Sequence, residues 1–126
     1  MTRNPMTGAL ALVLMSALGG GMAHAAGDAA HGKDIYDTRC SACHSLDANR
    51  VGPMHRGVYG RKAGSVPGYN YSAGVKASTV IWTEETLDKW LTGPRAFIPG
   101  AKMTFHLSQK TDRDDVIAYL KQESGK

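Results

Sequence analysis

Cys40-Ser41-Ala42-Cys43-His44 constrains this chain more than any other stretch. Two thiols three positions apart, followed at once by a histidine, form the attachment signature of c-type haem. The thiols can close thioether bonds to the two vinyl groups of one haem, and the helical turn between them aims His44 at the iron. Taken alone, the two cysteines also suit a thioredoxin-like redox pair or half of a zinc site. A redox pair wants strand–helix–strand surroundings, which the pattern lacks. A zinc site wants further cysteine ligands, and the chain has only 2 Cys in all. The adjacent histidine and an export signal favour haem. The rest of the chain must then wall that site and supply a second iron ligand.

The export signal is the N-terminal stretch. Met1–Gly8 carries one positive charge, Arg3, and no acid; Ala9–Leu18 is apolar except for Ser16; Ala23-His24-Ala25 is a small-x-small cleavage site. This is the three-part pattern of a secretory signal peptide. Its apolar run is shorter than the roughly 20 residues a transmembrane helix needs. The expectation is a signal peptide over 1–25 and one domain over 26–126, exported to the bacterial periplasm, monomeric and without stable membrane insertion. Removing Arg3 leaves 14 of the 15 Lys and Arg against 11 Asp and Glu, a balance of +3. That is too mild and too dispersed for a nucleic-acid binder and suits docking to acidic protein partners. A domain this small buries a modest core and often leans on a cofactor.

The pattern predicts an all-α domain with three main helices and long loops. Asp28 is the N-cap of a helix reaching about Cys40, with Gly32, Ile35 and Tyr36 on one face and His31 solvated near its start. Residues 45–67 are rich in Gly and turn formers and read as an irregular loop that wraps a ligand. The Pro53 carbonyl in that loop is a candidate acceptor for the second ring N–H of His44. A short helix is expected within 69–76. Thr83 caps the next helix, with Glu84 and Glu85 in its first turn, Leu87, Trp90 and Leu91 as its buried stripe, and Gly93-Pro94 as its stop. Residues 97–105 read as extended. Thr111 is expected to cap the last helix, whose apolar side is Val116, Ile117, Tyr119 and Leu120.

An iron held by one histidine for electron transfer wants a sixth ligand, and a Met/His pair raises the reduction potential. After loss of the signal segment only Met54 and Met103 remain. Met54 lies in the loop assigned to the His44 side. Met103 lies in a stiff Pro-Gly segment far along the chain and is the chosen ligand, with His55, Lys102 and His106 as competitors.

These residues resemble class I c-type cytochromes, the mitochondrial type and its soluble bacterial relatives. The likeness covers the whole mature chain: Cys-Ser-Ala-Cys-His at 40–44, Val-Gly-Pro at 51–53, Gly-Val-Tyr-Gly-Arg-Lys-Ala-Gly at 57–64, Pro-Gly-Tyr-Asn-Tyr at 67–71, Ile-Trp-Thr-Glu-Glu-Thr-Leu at 81–87, Ile-Pro-Gly-Ala-Lys-Met-Thr-Phe at 98–105 and Asp-Val-Ile-Ala-Tyr-Leu-Lys at 115–121. The resemblance implies the cytochrome c fold around one covalent haem c. Cys40 and Cys43 carry the thioethers, and His44 and Met103 ligate the iron. Pro53 accepts from His44, and Arg61, Tyr71 and Trp82 surround a propionate. Gly32 and Tyr36 cross the last helix at Val116 and Tyr119. Arg39, Arg50, Arg95, Lys102 and Lys110 ring the exposed haem edge and steer acidic partners.

The implied function is one-electron shuttling between membrane complexes: a quinol–cytochrome c reductase and a terminal oxidase or photosynthetic reaction centre. The alternatives are a dedicated electron acceptor of a periplasmic dehydrogenase and, from the enzyme class, peroxidase-type haem chemistry. The latter needs an open iron position and an acid–base group over it. Four positions depart from the family pattern. Val75, Trp90 and Ala101 replace groups that hold water behind the methionine, and the drier pocket is expected to raise the potential. His55 replaces an apolar residue, either as a packing histidine or, if buried, as a group linking potential to pH.

Overall fold

The computed structural model describes residues 27–126; the expected signal peptide lies outside them. Asp28 does cap the first helix, its Oδ1 accepting the N–H groups of Ala30 and His31 at 2.9 and 3.2 Å. That helix, α1, covers Ala29–Ile35. It does not run on as regular α-helix to Cys40. Tyr36–Cys40 widens into a π turn, in which the Ser41 N–H donates to the Tyr36 carbonyl at 3.0 Å. Such widened turns recur at functional sites. Here the turn buries Tyr36 and delivers Cys40, half-buried, to the wall of a cavity.

The remaining helices are α2, Ala73–Ala77; α3, Glu84–Thr92; α4, Pro94–Phe97; and α5, Lys110–Ser124. Among the described residues the only sheet-like feature is an isolated bridge between Lys62 and Ile81. The fold is thus all-α, with α1, α3 and α5 as its three main helices and a long loop from the attachment motif to α2.

The contact of α1 with α5 is the most extensive between helices. It is possible because of Gly32. A Cβ there would lie 2.0 Å from the Asp115 carbonyl oxygen and 3.0 Å from Tyr119 Cβ. The closest approach at Gly32 is thus to Asp115 and Tyr119, and the Tyr36 ring meets Tyr119 at 5.4 Å. Asp115 fastens the crossing. One carboxylate oxygen accepts the Asp28 N–H at 2.7 Å, and the other lies 2.7 Å from His31 Nδ1. His31, expected to be solvated, is exposed but paired.

That pair carries a pH dependence. The hydrogen bond to Asp115 raises the His31 pKa above its usual 6.5, with Asp112 and Asp28 adding to the effect. A histidine raised in the folded state stabilises fully below its unfolded value and loses that contribution as pH climbs through the raised value. His31→Gln is therefore expected to destabilise the protein at acidic pH and to match it at alkaline pH. Parallel thermal melts across that range check this, and an identical deficit at every pH contradicts it.

Thr111 does not cap α5. The helix starts two residues earlier than expected, at Lys110, with Gln109 at the cap position and no side-chain cap bond. Its entry is fixed instead by Arg113, which is buried and donates from Nη1 to the carbonyls of Leu107 and Ser108 at 2.9 and 3.0 Å. Its Nε pairs with Asp88 of α3 at 2.7 Å. The Arg113 guanidinium donates to carbonyls that precede the helix and so holds its entry; it does not replace a cap, whose oxygen would accept the first helical N–H groups.

Two other boundaries shift for the same kind of reason. The short helix begins only at Ala73, behind Ser72. Tyr69 and Tyr71 serve the loop, the first donating its hydroxyl to the Val51 carbonyl at 2.7 Å and the second accepting the Val66 N–H at 3.0 Å. Phe97 closes α4 rather than starting an extended run, after which Gly100, at φ +86°, turns the chain toward Met103. Thr83 caps α3 as expected, in a reciprocal pair with Thr86. Among the described residues no helix is long and apolar enough to cross a membrane.

Candidate functional site

The core encloses a cavity of about 430 Å³. Its wall contains every residue singled out from the sequence for the site: Cys40, Cys43, His44, Pro53, Arg61, Tyr71, Trp82, Trp90 and Met103. Leu87 and Leu91 of α3 and Val116 and Leu120 of α5 add apolar wall. The elements meet here because α3 and α5 turn their apolar stripes inward, as the periodicity demands.

His44 is the best-defined group. Its N–H donates to the Cys40 carbonyl at 2.9 Å, closing the turn that holds both cysteines. Burial lowers the imidazole pKa, the Pro53 carbonyl opposes this, and Arg50 adds to the lowering. The ring is therefore neutral near pH 7. Nδ1 donates to the Pro53 carbonyl at 2.9 Å, so the lone pair is on Nε2, the state a metal ligand needs. Gly52 makes room for the ring: a Cβ there would lie 2.2 Å from His44 Cε1. Gly52 was legible in the sequence only as a turn former beside Pro53.

The thiols do not suit redox chemistry of their own. Burial pushes Cys40 up to about 11, whereas a reactive thiol of a redox pair is held low.

Met103 is reached by a strapped segment. Arg95 Nε donates to the Ala101 carbonyl at 3.0 Å, and Lys102 Nζ to the Asn70 carbonyl at 2.6 Å. The Leu107 N–H donates to the Leu91 carbonyl at 2.8 Å. Gly74 lets α2 press on this segment, since a Cβ there would lie 2.1 Å from the Pro99 carbonyl oxygen. Arg39 stacks over Phe105 at 5.6 Å, which ties the attachment helix to the methionine segment.

Competing ligands are placed less well. His55 stacks on His44, with ring centroids 4.0 Å apart and planes 19° apart, and so shares its side. Lys102 is engaged as above. His106 is exposed and lines a separate groove. Met54 is not among the cavity-lining residues. Burial, with His44 and Arg61 nearby, pushes the His55 pKa well below the usual 6.5, so the ring stays neutral.

Arg61 supplies charge. It is half-buried, and burial lowers its pKa. Its Nη atoms donate to the carbonyls of Met54 and Arg56 at 2.9 and 3.2 Å, and among the described residues it has no acidic partner. A cation in a cavity wall without an anion favours an anionic group in that cavity. Trp82 is buried and anchored through its backbone to Arg61 and Gly60. Val75 and Trp90 line the cavity, Trp90 meeting Trp82 edge-on at 5.3 Å, and Ala101 is buried in the same hydrophobic core.

Two thiols on one turn, a neutral imidazole, a thioether sulfur, an unpaired cation and an apolar wall fit a covalently attached iron porphyrin with carboxylate arms. The fold and site together define a haem-binding electron-transfer protein of the c type. The comparisons agree. The cytochrome c family model matches residues 29–124. A cytochrome c of Euglena viridis is 45% identical over 98 residues, covering 75% of this chain and 96% of that one. Cytochrome c 2.1 of Caenorhabditis elegans is 46% identical over 104 residues, covering 80% and 94%. The solved structure of cytochrome cH from Methylobacterium extorquens superposes with a TM-score of 0.73 at 42% identity, covering 76% and 99%. The chain belongs to the cytochrome c family, whose members carry covalent haem c with its iron and transfer electrons.

Proposed function

We propose that this protein is a soluble periplasmic one-electron carrier, exported after removal of residues 1–25. Cys40 and Cys43 would hold the haem, and His44 and Met103 would ligate its iron. The observation that carries the reading is that one cavity is lined by both a neutral His44, fixed by Pro53, and Met103. The bound group supplies an iron that alternates between ferrous and ferric. The chain's part is to fix two ligands, keep water off the methionine side and balance a propionate with Arg61, Tyr71 and Trp82. A rigid, apolar, closed site limits reorganisation and leaves no position for substrate, which disfavours peroxidase-type chemistry.

The proposed partners are a quinol–cytochrome c reductase and a terminal oxidase or reaction centre. A docking face for them is supported by Val51, an apolar side chain 73% exposed, near the exposed bases Arg39, Arg50 and Lys102. Arg95 is also exposed. Lys110 contributes less than the resemblance implied, because Asp114 neutralises it at 2.7 Å.

The purified periplasmic protein is expected to carry one haem by mass spectrometry and to show the long-wavelength ferric band of sulfur ligation. Electron transfer with an acidic partner is expected to slow steeply as salt rises, because screening removes the steering. A porphyrin-free polypeptide from cells able to attach haem overturns the reading, and a salt-independent rate overturns the docking face. Trp90→Tyr, which returns a hydroxyl to the methionine side, is expected to lower the midpoint potential. An unchanged potential means that the dryness of this pocket does not set it.

A further inference from the structure

We propose that His55 is a positioning residue for His44: it sets the plane of the iron-ligating imidazole by stacking on it, and Tyr36 sets His55. The inference rests on the haem-ligating role of His44 given above.

A single hydrogen bond along Nδ1–H fixes the direction of that bond and leaves the ring free to swivel about it. The Pro53 carbonyl supplies that one bond. A second restraint must act on the face of the ring, and His55 supplies it, with centroids 4.0 Å apart and planes 19° apart. His55 is not free to follow His44. Its Nδ1 lies 3.0 Å from the Tyr36 hydroxyl, and its ring meets that of Tyr36 edge-on at 5.6 Å. Its backbone is fixed at both ends, the N–H donating to Ser45 at 3.0 Å and the carbonyl accepting from Val58 at 2.9 Å. Tyr36 is 4% exposed and packs on Tyr119 of α5. An unbroken column of rings therefore joins the α1–α5 crossing to the axial ligand. An apolar side chain at position 55 would fill the same space without a flat face or a hydrogen bond, so the histidine adds orientation to packing.

The orientation of an axial imidazole decides how its π orbitals overlap the iron d orbitals, and so how unpaired spin spreads over the porphyrin. The spread and order of the hyperfine-shifted haem methyl resonances of the ferric protein respond to that orientation together with that of the methionine sulfur, which a change at residue 55 does not touch. His55→Leu, made in the haem-bearing protein, is expected to keep the attached haem and the sulfur-ligation band while changing that pattern. His55→Phe, which restores a flat face without the ring nitrogen, is expected to return part of it. Tyr36→Phe, which removes only the hydroxyl, is expected to move the pattern in the same direction as His55→Leu. A loss of thermal stability with no change in methyl pattern, in both His55→Leu and Tyr36→Phe, overturns the proposal. Should His55→Leu fail to fold, Tyr36→Phe decides it alone: a changed pattern supports the proposal and an unchanged one overturns it. Absence of attached haem in the parent protein overturns the ligand assignment itself, a different failure from an unchanged pattern.

Discussion

Met103→Ala is expected to yield a protein that keeps its haem and loses its electron-carrier character. Cys40, Cys43 and His44 lie on the attachment turn and are untouched by the change. The segment around residue 103 should keep its course, because its straps come from Arg95, Lys102 and Leu107 rather than from the methionine side chain. What is lost is the sulfur. The long-wavelength ferric band should vanish, the ferrous protein should bind carbon monoxide rapidly, and the midpoint potential should fall. Axial ligands span about 0.8 V across haem proteins, and replacing the sulfur by water is expected to cost on the order of 0.2 V. Met54→Ala serves as the control and should change none of these. Unchanged spectrum and potential in Met103→Ala would remove Met103 from the site, and an effect in Met54→Ala would put the ligand in the wrong loop.

The second large effect is expected at Gly32→Ala, far from any ligand. An added methyl would meet the Asp115 carbonyl oxygen at 2.0 Å and the Tyr119 Cβ at 3.0 Å. The first of these is backbone, which no rotamer change can move. Helices α1 and α5 must separate, loosening Tyr36 against Tyr119 and the bond from Asp28 to Asp115. Alanine favours helix over glycine by about 1 kcal/mol, which works the other way. Overpacking costs about 1–3 kcal/mol and more where backbone is struck. A net loss of about 2 kcal/mol is expected, which for a domain this size lowers the melting temperature by roughly 10 °C. A melt of the haem-bearing variant checks it. An unchanged or raised melting temperature would show that the crossing yields more easily than its contacts imply.

The two substitutions differ in how readable their sites were. The attachment motif is local: two cysteines and a histidine on one turn define a chemistry without help from the rest of the fold. Met103 was reachable by elimination, since few methionines remain after the signal segment. Arg61, Tyr71 and Trp82 were reachable only through resemblance, because nothing in their spacing points to a shared wall. Gly52 and His55 were harder. Gly52 carries no signal beyond a turn, yet the His44 ring occupies the space its side chain would fill. His55 was noticed as a departure, but its stacking on His44 and its bond to Tyr36 join residues distant in sequence. Thr111 shows the same lesson at a helix end. A hydroxyl before acidic residues reads as a cap, but the helix already begins at Lys110, where Arg113 fastens the carbonyls leading into it.

From the residues alone came the covalent attachment chemistry, the helical class, the caps at Asp28 and Thr83, and the choice of Met103. These follow from short-range rules: neighbours on a turn, periodicity along a helix, and the residue types that iron accepts. Only the tertiary structure decided that α1 meets α5 at Asp115 and that His31 is paired with that same residue. It alone placed His55 flat against His44. Those contacts depend on which surfaces helices and loops bring together in space, and a ring on a ring or a carbonyl over a missing Cβ leaves no period and no motif in the chain.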